Sequence, residues 1–317
     1  MKKILIVLLL LPIISVAQSA FGKGSPKKEA TDELNINEHV QGTLWLPENQ
    51  KQPPLVILLT GSGPNDRDGN SPMTKNDSHK QLAQLLRDNG IATYRYDKRV
   101  VTQIKKKKVD PDTSFDDFVT DAASVVAYFE NDNRFSKIIL AGHSQGSLVA
   151  MLAVDENVDG FISLAGSGEE IDKVIVAQVA KQAPGLDKIA AATFQKMRDS
   201  VEIITDVSPY LMSLQAPEMQ PFMESWMAYD PAKEISKLQL PILIINGDRD
   251  EQVSVEQAQI LKNASPNAQL TIIKDMNHVL KQVPEDDLVA AKSYSDPNFP
   301  IHPELVTSMV EFISSLK

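Results

Sequence analysis

Gly142-His143-Ser144-Gln145-Gly146 is the strongest chemical signal in the sequence. It follows an apolar run at 138–140 that reads as a strand and precedes an apolar stretch with helical character. A G-x-S-x-G between strand and helix is a nucleophile elbow. The turn is so tight that side chains two positions either side of the serine collide, so both positions must be glycine. The same tightness pushes the Ser144 hydroxyl out above the sheet. The helix that starts there offers amides and a dipole to a developing negative charge. A serine activated in this way needs a base and an acid. The chain holds five histidines, His39, His79, His143, His278 and His302, and a carboxylate-rich loop at Asp248-Arg249-Asp250-Glu251.

The elements that must carry these groups are legible as an alternation. Short apolar runs occur at 43–46, 55–59, 92–96, 137–141, 160–165, 241–245 and 269–273. Several are unbroken Val/Ile/Leu stretches, which mark strands buried on both faces. Helical patterns at 79–87, 115–129, 145–154, 255–262 and 304–316 lie between them, and Ser114 with Asp117 resembles a capping box. Strands alternating with helices predict an α/β fold with a doubly wound, mostly parallel sheet. Residues 167–238 break the rhythm. They hold no convincing strand, and Ala190, Phe194, Met197, Val201 and Ile204 recur at helical spacing. The expected division is a core at 40–166 and 239–317 with a helical cap at 167–238 inserted between late strands.

Composition narrows the classes of chemistry. The chain has 317 residues, 42 Asp+Glu against 32 Lys+Arg, and no cysteine. That excludes a thiol nucleophile, an iron–sulfur cluster and a disulfide framework. An acidic chain repels phosphate backbones, so no nucleic-acid partner is expected. No two histidines sit at i, i+4 near a carboxylate, so a zinc hydrolase is not expected. Asp66, Asp68 and Asn70 alternate as in a calcium loop, but the glycine falls at the fourth position instead of the sixth. Neither metal nor cofactor is expected. At the N-terminus, Lys2 and Lys3 precede an apolar stretch at 4–14, and Ser15-Val16-Ala17 offers small residues before a cut. This is a signal-peptide pattern over 1–17, with cleavage after Ala17 and a flexible leader at 18–39. The apolar stretch is too short to span a bilayer. A secreted or periplasmic protein with no membrane span after cleavage is the expectation.

Four motifs, in order, make the chain from about residue 40 resemble the α/β-hydrolase family, in particular a bacterial secreted serine-esterase group with a helical cap. Beside the elbow, they are Thr60-Gly61-Ser62-Gly63-Pro64, continued by Asn65-Asp66-Arg67-Asp68-Gly69; Tyr94-Arg95-Tyr96-Asp97-Lys98-Arg99; Asn246-Gly247-Asp248-Arg249-Asp250-Glu251-Gln252-Val253; and Asp275-Met276-Asn277-His278-Val279-Leu280-Lys281. The resemblance implies Ser144 as nucleophile, Asp250 as acid and His278 as base, in the family's chain order. It also implies an oxyanion hole from the amides of Gln145 and Ser62, with Gly63 as the alternative to Ser62. Thr60 stands where the family often has His, and Val100 where it has Gly. Asp97 and Arg99 read as loop-organising ion-pair partners, and Lys105-Lys106-Lys107-Lys108 as a solvated loop. Among the histidines, His39 precedes the fold, His79 begins a helix, His143 lies inside the elbow and His302 sits at a helix start. Only His278 lies in the loop directly after the final strand. Asp250 is preferred to Asp248 because it lies further along the crossing toward His278, and Gly247, Asp250 and Val253 match a family G-x-x-D-x-x-V pattern.

The function implied is hydrolysis of a carboxylic ester, short-chain acyl or aryl, with a small-molecule ester as the expected substrate. A serine aminopeptidase or amidase on the same fold is the alternative, and Glu169, Glu170 and Asp172 at the start of the cap could serve a peptide N-terminus. A non-catalytic binding protein is the reading from another class, against which all three triad residue types are present. Gly63, Met223 and Trp226 are the candidate substrate contacts. Packing of the cap is the competing role for its Met and aromatic residues.

Overall fold

A computed structural model describes residues 32–317, apart from Asn49 and Val201. The expected signal peptide and its cleavage point lie outside these residues. Eight strands form one sheet in the order β1-β2-β4-β3-β5-β6-β7-β8. Two of them, β1 (Asp32–Asn35) and β2 (Gln41–Trp45), run antiparallel at one edge. The others are mutually parallel: β3 (Leu55–Leu59), β4 (Ala92–Tyr96), β5 (Ile138–His143), β6 (Gly160–Leu164), β7 (Ile242–Gly247) and β8 (Gln269–Ile273). Every residue of β3 through β7 is buried. Their side chains alternate between two cores, Leu55, Ile57 and Leu59 in one and Val56 and Leu58 in the other. That is why β3 and the start of β5 and of β7 are unbroken apolar runs instead of alternating.

Helices cover both faces. They are α1 (Ser78–Asp88), α2 (Arg99–Lys105), α3 (Phe115–Phe129) and α4 (Gln145–Ala153), followed between β6 and β7 by α5 (Ile171–Gln182), α6 (Leu186–Asp199), α7 (Met212–Gln215), α8 (Gln220–Met227) and α9 (Pro231–Lys237). The chain then adds α10 (Val255–Ala264), α11 (Asp287–Lys292) and α12 (Pro303–Ser315). The inner faces of α3, α4 and α10 pack into one core and those of α1 and α12 into the other. The Ser114 amide donates to the Asp117 carboxylate at 2.8 Å and closes the start of α3. Among the described residues of 165–241 there is no strand; α8 docks on α3 by stacking Trp226 on Phe115 (5.6 Å, 3° between planes) and Phe222 near Phe118.

Two expectations need correction. The leader is not unstructured throughout, because Asp32–Asn35 pairs with β2 as an edge strand. Of its residues only Leu34 is apolar, and it packs against the core, so the pairing carries more of its stability than any apolar pattern. In the inserted region α6 stops at Asp199, so Ile204 lies beyond the helix, and Val201 is not described.

Candidate active site

Ser144 sits between β5 and α4 with φ 53° and ψ −120°, a strained conformation for a residue with a Cβ. Its amide donates to Leu164 O at 2.8 Å, and its carbonyl accepts from the Ser147 amide at 2.9 Å, so neighbouring elements hold the strain in place. The two glycines of the elbow are required by contact. A Cβ on Gly142 falls 2.1 Å from Gly146 O, and one on Gly146 falls 2.6 Å from Leu59 O. Neither backbone oxygen can move without opening the turn. Gly142→Ala is therefore expected to lower stability by about 2–4 kcal/mol, read as a drop in the denaturation midpoint. An unchanged midpoint overturns this account of the elbow.

The loop after β7 meets the loop after β8. His278 Nδ1 lies 2.7 Å from Asp250 Oδ2, and both side chains are buried. The other Asp250 oxygen, Oδ1, accepts from the amides of Gln252 and Val253, each at 2.8 Å. Three hydrogen bonds thus fix the carboxylate. Asp248 is turned elsewhere. Its Oδ1 accepts from the Asp275 amide at 2.7 Å and clips the two loops together. His143 reaches the same place from the elbow, donating from Nε2 to His278 O at 2.7 Å. Burial and the neighbouring His278 hold His143 well below the usual imidazole range, so it stays neutral. His79 stacks edge-on against it (5.4 Å) and is pulled down to about 4 by burial.

Ser144, His278 and the loop Thr60 to Asn65 border one cavity of about 220 Å³, together with His79, His143, Gln252 and Tyr294. Gly63 adopts φ +88°, and the space beside it is open. The amides of Ser62 and Gly63 donate to no backbone oxygen among the described residues. The Gln145 amide is the first of α4, where a helix leaves its donors free. A second cavity of about 130 Å³ shares Gly63 and Pro64 with the first and is lined mainly by apolar groups, among them Val100, Ile104, Phe118, Leu214, Phe222 and Met223. Met223 and Gly63 therefore face a cavity. Trp226 lines neither; it is buried between Phe115 and Phe222, and its expected substrate contact gives way to packing.

Charged groups brace the segment that follows the Thr60–Asn65 loop. Arg67 grips Asp97 with Nε and Nη2, both at 3.1 Å, and Lys105 adds a 2.7 Å contact to the same carboxylate. Asp66 Oδ1 accepts the amides of Asp68 and Asn70, and Arg95 pairs with Asp68 while lying over the Trp45 ring. Arg99 turns to α3 and binds Asp121 and Asp117. The Lys105–Lys108 stretch is only partly loop, since Lys105 ends α2. Glu169 accepts from the Gln257 side chain, Glu170 pairs with Lys173 and Asp172 with Arg198, and none of the three borders either cavity. Among the described residues no group of three or more His, Cys, Asp or Glu is placed to hold a metal ion.

Sequence reasoning missed two residues here. Tyr294 enters the cavity from the segment after α11, with its hydroxyl pushed up by burial and by Asp250. Lys98 points inward under the Thr60–Asn65 loop, where burial pulls its ammonium down to about 7. Each stands in a stretch whose pattern reads as surface, so neither had an apolar periodicity to betray it.

A mostly parallel sheet, wrapped by helices and carrying a serine at a strained strand-to-helix turn, defines an α/β-hydrolase fold. The profile of the family described as serine aminopeptidase, S33 matches residues 76–282, and the chain belongs to that family. It is also similar to esterase EstD of Thermotoga maritima, 27% identical over 264 residues, which cover 80% of this chain and 61% of EstD. Among solved structures, Est1E from Butyrivibrio proteoclasticus superposes with a TM-score of 0.55 at 20% identity, covering 87% of this chain and 95% of its own. An esterase from Pyrococcus furiosus gives 0.53 at 17% identity, covering 93% and 96%. At those identities the structural likeness speaks for the fold.

Proposed function

We propose that this protein is a serine hydrolase that cleaves carboxylic esters of short acyl or aryl groups. The observation that carries the reading is the 2.7 Å bond between Asp250 and His278 at the wall of the cavity that Ser144 borders. In the reaction, Ser144 Oγ attacks the acyl carbon as His278 Nε2 takes its proton. The carbonyl oxygen becomes an oxyanion held by the amides of Gln145 and Ser62. Collapse breaks the bond to the alcohol, which leaves with the proton from His278. Water then attacks the acyl-enzyme, with His278 again accepting and returning the proton, and the acid is released. Asp250 keeps His278 in the tautomer with the proton on Nδ1 and balances the imidazolium. Every step uses only these residues, the ester and water.

Support for an ester over a peptide substrate comes from the acidic residues at the start of the inserted helices. Glu169, Glu170 and Asp172 are engaged by Gln257, Lys173 and Arg198, away from both cavities. The family's description keeps an aminopeptidase as the second reading. Turnover of a p-nitrophenyl ester and of an aminoacyl p-nitroanilide, each with and without a fluorophosphonate, decides between them. Ester turnover that the fluorophosphonate stops supports the first reading. Faster anilide turnover moves the assignment to the second, and no turnover of either overturns both.

The helices of 167–238 form, on this reading, a cap whose α8 walls the apolar cavity with Phe222 and Met223. A cavity of about 130 Å³ suits a short chain and leaves a long one in water. The expected kcat/KM for a C2–C4 ester exceeds that for a C12–C16 ester by about tenfold or more; the opposite order refutes the cap's proposed role. The N-terminal pattern of Lys2, Lys3 and the apolar stretch at 4–14 supports export, with cleavage after Ala17. Among the described residues no helix is long and apolar enough to cross a membrane.

A further inference from the structure

Lys98 is a buried cation with uncharged partners. Its Nζ donates to Gly61 O at 2.6 Å and to the Gln145 side-chain oxygen at 2.5 Å, with Gly63 O further off at 3.4 Å. The Phe118 ring lies 4.8 Å beneath it. Burying an ammonium without a carboxylate is costly, and a methionine of the same length would fill the space without that cost. The position therefore calls for a reason other than packing.

The reason lies in what those oxygens belong to. Gly61 O is one end of the Gly61–Ser62 peptide, whose other end is the Ser62 N–H. No peptide in the described chain is cis, and in a trans peptide the C=O and N–H point in opposite directions. Pinning the oxygen below the loop thus fixes the direction of the Ser62 N–H on the other side. A charge-assisted bond to the oxygen also draws electron density through the amide and makes that N–H a stronger donor. The second partner, Gln145, supplies the other free amide. We infer that Lys98 is the positioning residue of the oxyanion hole, its one ammonium clamping and polarising the Gly61–Ser62 peptide and tying it to Gln145. This rests on the serine-hydrolase reading above, and it assigns the second donor to Ser62, because Lys98 grips the oxygen of the Gly61–Ser62 peptide, whereas the Ser62–Gly63 peptide is held by the neutral Asn65 side chain at 2.6 Å to Ser62 O.

Two details fit. Asn65 Nδ2 also donates to Gly61 O, at 3.1 Å, so the loop keeps one anchor when Lys98 is replaced. With its ammonium pulled down to about 7, Lys98 holds its proton weakly at rest, and an anion forming across the peptide favours the charged state.

The test compares Lys98→Met and Lys98→Gln with the parent chain. Turnover of p-nitrophenyl butyrate and the second-order rate of phosphonylation by a fluorophosphonate are both read. Phosphonylation also places a developing P–O⁻ in the oxyanion hole and does not depend on the natural substrate. Loss of a whole oxyanion donor costs about 10²–10³ in kcat, so weakening one is expected to cost about 10–100-fold for Lys98→Met. KM stays within about threefold, and phosphonylation slows in parallel. Lys98→Gln, which keeps a neutral N–H donor, falls between. If Lys98→Met does not fold to a cooperatively melting protein, Lys98→Gln carries the test, with a loss of about fivefold or more in kcat expected. A folded variant with kcat within twofold of the parent, or one altered in KM alone, overturns the assignment. Ser144→Ala separates this from the underlying reading. If that variant is still phosphonylated at the parent rate, the nucleophile is wrong and the Lys98 role falls with it. If it is inert while the Lys98 variants react at the parent rate, only the Lys98 role falls.

Discussion

Ser144→Ala is expected to lower kcat for p-nitrophenyl butyrate by about 10⁴-fold or more while leaving the melting temperature within about 2 °C of the parent. The size follows from what the hydroxyl does alone. Without Oγ no acyl-enzyme forms, and what remains is the oxyanion hole and binding, which in such sites retain only a small part of the acceleration. The unchanged stability follows from the elbow's construction. Ser144 is held by its backbone, through the amide to Leu164 and the carbonyl to Ser147, and alanine keeps both. The φ of 53° costs alanine what it costs serine, so the substitution adds no strain. The check is steady-state turnover beside a thermal melt and fluorophosphonate labelling. Activity within tenfold of the parent rules out Ser144 as nucleophile, and a collapsed melt moves the residue's importance from chemistry to folding.

What the sequence made legible depended on burial. Strands such as β3, β5 and β7 were readable because a doubly covered sheet favours unbroken apolar runs, and the ends of the apolar runs locate the loops that bear Ser144, Asp250 and His278. The elbow was readable because two glycines are forced by contacts as close as 2.1 Å. By contrast β1 is held by pairing to β2, which leaves no apolar signature in Asp32–Asn35. Trp226 looked like a pocket residue, since an aromatic beside methionines fits either a ligand or a core. Only the parallel stack on Phe115 decides between them. Lys98 was the least legible. Set between Asp97 and Arg99, it reads as one more surface charge, yet the three residues diverge: Asp97 to Arg67, Arg99 to Asp121, and Lys98 into the interior. All three are buried, and a run of charges does not say which of them is paired with an opposite charge and which with neutral oxygens.

Asp250→Asn and Asp248→Asn are expected to separate by about 10²-fold or more, although the two residues share one loop. The argument turns on which oxygen of Asp250 is already committed. Oδ1 accepts from the Gln252 and Val253 amides, both donors, so an asparagine at 250 must place its carbonyl oxygen there. Its NH₂ then occupies the Oδ2 position, 2.7 Å from His278 Nδ1. Facing a donor, Nδ1 has to become the acceptor, and the neutral ring carries its proton on Nε2. That is the wrong tautomer for taking a proton from Ser144, and no carboxylate remains to balance an imidazolium. The expected loss in kcat is about 10³–10⁴-fold with little change in fold. Asp248 has only to accept from the Asp275 amide at 2.7 Å, which an asparagine oxygen does as well. Asp248→Asn therefore keeps kcat within about tenfold and costs on the order of 1 kcal/mol, from a weaker bond between the loops. Both variants are assayed on the same ester at the same pH, with a denaturant midpoint for each. The reverse ranking moves the acid to Asp248 and requires the loop after β7 to adopt another register in solution. Equal, small losses would mean that His278 is oriented mainly by its backbone, through the 2.7 Å bond that His143 donates to its carbonyl.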